Sequence, residues 1–264
     1  LTTRDRRKLW VQTTLTPILQ HDNEIVKIVA IDSDISNLKK AEAQIQEQAE
    51  EIRMQRDLAV SQRNDITDSI EYALRIQAAI LPPVSLLKEN TTEHFILNKP
   101  RGILSGDFYW FAKTNNLFLV AVADCTGHGV PGALMSMLGV SFLNKIVNEK
   151  GITQPAEILN RLRMNIIRSL HQTGREGETS DGMDISLLAF DKKNRKVAYA
   201  GAMNPVFIIR RSFSMGQQNV QLHEIKPDRM PIGIHQKAGE KFTNHTIDYQ
   251  ENQVFYLFTD GYID

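Results

Sequence analysis

The stretch Leu117-Phe118-Leu119-Val120-Ala121-Val122-Ala123-Asp124-Cys125-Thr126-Gly127-His128-Gly129-Val130-Pro131-Gly132-Ala133-Leu134-Met135-Ser136 decides the fold. Its first part is a short apolar run closed by glycine-rich turn chemistry, the pattern of a buried strand, expected over 117–124. An apolar stretch with helical character follows and predicts a helix over 131–149. Asp124 sits at the mouth of the strand. An unpaired carboxylate is costly there, so the residue should be paired, hydrogen-bonded or bound to a metal.

Working outward, three other segments place acids and glycines at the ends of apolar strands. They are Ser105-Gly106-Asp107-Phe108-Tyr109-Trp110, Asp181-Gly182-Met183-Asp184 and Phe258-Thr259-Asp260-Gly261. Each Asp-Gly alone is ordinary turn chemistry. Several aspartates converging without cysteine or histidine clusters favour a hard, oxygen-seeking cation, Mg²⁺ or Mn²⁺, over zinc. The glycines let backbone carbonyls and amides approach closely.

The remaining pattern after Pro83 predicts strands at 94–98, 106–112, 184–190, 196–201, 205–210, 220–225, 241–248 and 253–259, with a second helix over 155–172. A run of strands with two central helices and no regular βαβ alternation argues for an α+β layered sandwich. Before Pro82-Pro83, the span from Leu38 to Leu81 has no Gly or Pro and is rich in Ala, Glu, Gln and Arg, as a long helix requires, with Ser36 or Asn37 as its cap. Leu38, Ile45, Ile52, Ala59, Ile66, Ala73 and Ile80 recur every seven residues. The companion seam of Ala41, Gln48, Gln55, Gln62, Ser69 and Ile76 is largely polar. Such a pattern predicts a weak coiled coil and a homodimer, with a helix packed on its own domain as the alternative. Residues 10–32 read as two β-rich runs around the polar turn His21-Asp22-Asn23-Glu24, the end of a larger sheet.

The chain carries 31 basic and 31 acidic residues in 264, so its formal charge is zero and no nucleic-acid partner is expected. The single cysteine, Cys125, forms no internal disulfide, and no apolar run suggests a membrane span. With no signal peptide in view and no initiator methionine, the expectation is a cytoplasmic piece of a longer protein.

Taken in order, SGDFYW, DCTGHGVPGALMS seventeen residues later, DGMDISL, GAMNP, PIGI and TDG resemble the SpoIIE/RsbU-like branch of the PPM serine/threonine phosphatases. The helix from Ser69 to Pro82 resembles the segment that precedes such domains. Trp10 to Ile18 with Lys27 to Ser36 resembles the C-terminal hairpin of a PAS sensor domain. The resemblance implies a PAS fragment at 1–36, a helical linker at 37–82 and a PPM-phosphatase-like β-sandwich flanked by helices at 83–264. It also implies that an acidic segment beyond Asp264, expected to supply a ligand for a second metal, is missing. By the same resemblance, Asp107 and Asp124 bridge two Mn²⁺ or Mg²⁺ ions, the Cys125 backbone carbonyl is a further ligand, and Asp260 binds one ion. Asp184 is a further candidate ligand, although related domains often lack an acid there. Arg101 is either a holder of the substrate phosphate or a surface arginine. His128 is either an acid for the leaving oxygen or a structural turn residue. The implied substrate is a phosphorylated anti-anti-sigma-like regulatory protein, with sensor control through the linker. The rival readings are a phosphoprotein-binding module without turnover and a phosphatase for small molecules; no GxxxxGK loop supports the latter.

Overall fold

The structure, a computed structural model, describes residues 8–19, 24–100, 102–175, 178, 180–214, 217–250 and 253–262. Two compact units divide the chain, Leu1–Thr67 and Asp68–Asp264.

In the first unit, β1 (Val11–Leu19) and β2 (Ile25–Asp34) form an antiparallel hairpin, with Val11 opposite Asp34 and Ile18 opposite Lys27. Its joint with the long helix α1 (Ser36–Ile80) is closed by three bonds. The Ile35 N–H donates to the Trp10 carbonyl at 2.8 Å, and the Trp10 N–H donates to Ser36 Oγ at 2.9 Å. The Ser36 N–H donates to Asp34 Oδ1 at 2.9 Å. Ser36 opens the helix, but its hydroxyl oxygen accepts from Trp10, just before β1, and the acceptor that takes its N–H is Asp34. These bonds from Ser36, first the side chain and then the backbone, hold the Asp34 carboxyl below the usual range. The heptad positions Ile45, Ile52 and Ile66 are 61–66% exposed.

The second unit begins with the last turns of α1. Pro82-Pro83 then end the helix and lead into α2 (Val84–Asn90). The first sheet has the order β3 (Phe108–Thr114), β4 (Leu117–Cys125), β5 (Met183–Asp191), β6 (Lys196–Ala202) and β9 (His245–Asp248), each pair antiparallel. The second has the order β10 (Gln253–Tyr256), β7 (Val206–Ser214) and β8 (Gln217–Ile225). Helices α3 (Gly129–Asn144), continued by a π-helical turn at Lys145–Glu149, and α4 (Pro155–Ser169) cover one face of the five-stranded sheet.

Alternation along β5 shows the layering. Ile185 and Leu187 belong to the core shared with Leu143, Leu159 and Leu162 of the helices. Leu188 points the other way and packs with Tyr199, Val206 and Phe255 between the two sheets. Phe190 meets Phe255 edge-on at 5.2 Å. The result is the expected α+β sandwich.

Two expectations need correction. The apolar segment 94–98 forms no strand. Among the described residues it has no sheet neighbour, and Phe95 is left exposed with its ring 6.1 Å from Tyr256. Periodicity identifies a β-prone segment but does not supply the partner whose ladder makes it a strand. Gly129–Glu149 is also long and apolar enough, by length and composition, to cross a membrane. Here Ala133, Met135, Val140 and Leu143 of this helix are buried in the core.

Candidate active site

Antiparallel pairing gathers the site at one end of the first sheet. Phe108 lies opposite Ala123, which sets Asp107 beside Asp124. Asp124 lies directly opposite Asp184 on β5. Asp260 begins a single 3₁₀ turn, Asp260–Tyr262. Thr259, just before it, donates from Oγ1 to Asp107 Oδ2 at 2.7 Å. Asp124 is within hydrogen-bonding reach of both Asp107 and Asp260.

Three carboxylates in one half-buried corner cannot all ionise cheaply. Burial, then the hydrogen bond and charge of Asp107, then those of Asp260, push Asp124 up to about 8. Burial and the charge of Asp260 raise Asp184 to about 6. Among the described residues, no three His, Cys, Asp or Glu side chains are gathered closely enough to enclose an ion as they stand. The donor set nevertheless fits a hard divalent cation: it is all oxygen, it is anionic, and its mutual repulsion is what such a cation would relieve. Asp107, Asp124 and Asp260 are the residues that could hold it, with Asp184 alongside.

The turn after β4 is built on close backbone approaches. A Cβ on Gly106 would stand 2.9 Å from the Gly127 carbonyl oxygen and 3.1 Å from that of Cys125. Gly127 and Gly129 have φ of 85° and 64°, the left-handed region that favours glycine. Both carbonyl oxygens therefore lie against the backbone next to Asp107. Burial, followed by the charges of Asp124 and Asp107, pushes the Cys125 thiol well up, which disfavours the thiolate a nucleophile needs. His128 is exposed, caps α3 in an extended conformation and makes no side-chain capping bond. Arg101 lies outside the described residues.

Sequence reasoning missed the residues that fasten the site. The Thr126 N–H donates to the Gly182 carbonyl at 3.0 Å, and Thr126 Oγ1 accepts the Gly182 N–H at 2.9 Å. That pair ties the DCTGHG turn to the DGMD segment. Gln172 donates to the Asp181 carbonyl at 2.6 Å and accepts from the Ile234 N–H at 3.1 Å. Ile232 and Met183 exchange backbone bonds of 2.8 and 3.0 Å, which explains the PIGI segment. In GAMNP, the Asn204 carbonyl accepts from the Tyr199 hydroxyl at 2.7 Å and from Ser186 Oγ at 2.8 Å. Thr126 lay inside a quoted motif, whereas Gln172 carries no local signal because its partners are distant in sequence.

A family model described as Stage II sporulation protein E (SpoIIE) matches residues 114–264, more than half of the chain. This chain belongs to the SpoIIE family. A curated relative, phosphoserine phosphatase RsbU of Bacillus subtilis, is 23% identical over 201 residues, which are 75% of this chain and 54% of the relative. The chain thus spans about half the length of that relative. Among solved structures, the SiaA-PP2C domain of Pseudomonas aeruginosa is 34% identical, with 76% of this chain and 74% of that chain covered at a TM-score of 0.63. The sandwich described above is accordingly the PPM-type, or PP2C, phosphatase fold of the SpoIIE family.

Proposed function

We propose that the chain is a metal-dependent phosphatase that hydrolyses phosphoserine or phosphothreonine in a regulatory protein. One observation carries this reading: Asp107, Asp124 and Asp260 come from three separate segments to a single corner in which the other two carboxyls both act on Asp124. The similarity to the phosphoserine phosphatase RsbU supports the phosphoserine chemistry.

Asp107 and Asp124 would hold two Mn²⁺ or Mg²⁺ ions between them, with Asp260 and the Cys125 carbonyl as further ligands and Asp184 as an additional one. When bound, such ions supply a water acidic enough to attack phosphorus near neutral pH, and they neutralise charge on the phosphoryl oxygens. The chain's own residues fix the geometry. Thr259 orients one carboxylate oxygen of Asp107. The Thr126–Gly182 clasp holds the turn after Asp124 against β5. His128 is the candidate acid for the leaving oxygen, and Arg101 the candidate anchor for the phosphate.

In the same reading, residues 1–36 are the end of a PAS sensor, 37–82 a linker that dimerises through the Leu38–Ile80 seam, and 83–264 the catalytic domain. The substrate is an anti-anti-sigma-like phosphoprotein of bacterial signalling in the cytoplasm. The exposed isoleucines of α1 support the dimer.

The test is Mn²⁺-dependent release of phosphate from a phosphoserine protein by the full chain. Turnover is expected in the wild type and is expected to drop at least about 100-fold in Asp124→Asn, by loss of a metal ligand. Mn²⁺ binding and phosphoprotein capture with no turnover would replace this reading with the binding-module alternative.

A further inference from the structure

Gln77 is the one buried residue in the whole length of α1, and it is polar. At 7% exposure its amide has little access to water, so its groups need protein partners. Gln77 Nε2 donates to the Ser105 carbonyl at 2.7 Å and to Ser136 Oγ at 2.8 Å. Its Oε1 accepts from the Ser105 N–H at 3.4 Å. Ser136 spends its own proton on the Ala133 carbonyl at 2.8 Å, which leaves its oxygen free to accept from Gln77.

This one side chain therefore bridges the Ser105 backbone and the Ser136 hydroxyl. Ser105 stands two residues before Asp107, and Ser136 lies on α3, the helix that follows the Asp124 turn. Between Ser105 and Asp107 sits Gly106, whose missing Cβ would stand 3.6 Å from the Gly132 Cα of the same helix. The short chain leading into Asp107 is thus held on one side by an amide and on the other by direct backbone contact.

We propose that Gln77 is a positioning residue for the cation site, fixing Asp107 at the separation from Asp124 at which both can ligate. The inference rests on the metal reading given above. Losing the amide leaves α3 in place through its apolar core but frees the Ser105 backbone, so metal affinity falls more than stability does.

The experiment titrates Mn²⁺ calorimetrically into the full chain as wild type, Gln77→Met, Gln77→Asn, Ser136→Ala and Asp124→Asn, and records melting temperature without metal for each. Gln77→Met, similar in size but without the amide, should weaken Mn²⁺ binding roughly 10–100-fold, as loss of an outer hydrogen bond to a ligand segment does. Gln77→Asn draws the amide back by one methylene and is the gentler variant should Met unfold the domain; it should weaken binding in the same direction. Ser136→Ala keeps the Ser105 bonds and should stay within about twofold of wild type, because no ligand-bearing segment is released. In turnover assays the Gln77 variants should need more Mn²⁺ for half-maximal rate and approach the wild-type kcat at saturation. Lower melting temperatures with unchanged Mn²⁺ affinity in the Gln77 variants would overturn the proposal and leave Gln77 a purely structural residue. No Mn²⁺ binding by the wild type, or equal binding by Asp124→Asn, would overturn the metal reading itself.

Discussion

Asp124 keeps its proton to about pH 8 in the folded chain, because burial and the neighbouring Asp107 and Asp260 oppose ionisation, while an unhindered aspartate loses its proton near 3.8. The folded state therefore binds more protons than the unfolded state between those values, and stability must fall as pH rises through that window. Asp184, raised to about 6, adds to the same trend over the lower part of it. Below about pH 4 both states are protonated at these sites and the effect vanishes. The expected outcome, read by thermal melting in chelator, is a melting temperature that declines from pH 5 to pH 8. Asp124→Asn should flatten most of that slope, and saturating Mn²⁺ should reverse it by binding the ionised carboxylates of the folded state. A rising melting temperature over this window in the metal-free chain would show that the three acids do not repel one another as described.

Among the elements, α1 makes the sharpest claim. Ile45, Ile52 and Ile66 lie a heptad step or two apart and are more than 60% exposed, on a helix whose companion seam is largely Gln and Ser. Dimerisation through so thin a seam should be weak, and one charge in it should be enough to abolish it. Ile52→Glu and Ile66→Glu should shift the sedimentation equilibrium to monomer and change phosphatase rate, while near-ultraviolet dichroism of the sandwich stays as in the wild type. A concentration-independent monomer in the wild type would remove the dimer.

How legible these elements were follows from what each depends on. The long helix was readable because Pro82-Pro83 and the absence of Gly and Pro upstream are local facts. Strand β4 was readable because its apolar run and the Asp124 turn are contiguous. The 94–98 segment was not, because a strand is made by its neighbour. The aspartates could be nominated from their place at strand ends. Their fasteners Gln77, Thr126 and Gln172 act on backbone groups 28, 56 and 9 residues away, distances that no local pattern encodes.

For the molecule as a whole, the layering places β5 in an unusual position. It has β4 on one side and β6 on the other, helices α3 and α4 over one face and the β7–β8–β10 sheet over the opposite one. Ile185, Leu187 and Leu188 are each 0% exposed. β5 is the middle strand of the five, with two further strands beyond it on either side. Its amides should then exchange with deuterium only when the whole sandwich opens, and the rate there should report global unfolding, whereas β9 and β10 exchange through local fraying. Mn²⁺ should slow the amides from Ile185 to Leu188 by the full increment of ligand stabilisation. The middle of this strand is thus a built-in clock for the domain, readable by mass spectrometry without any label at the site.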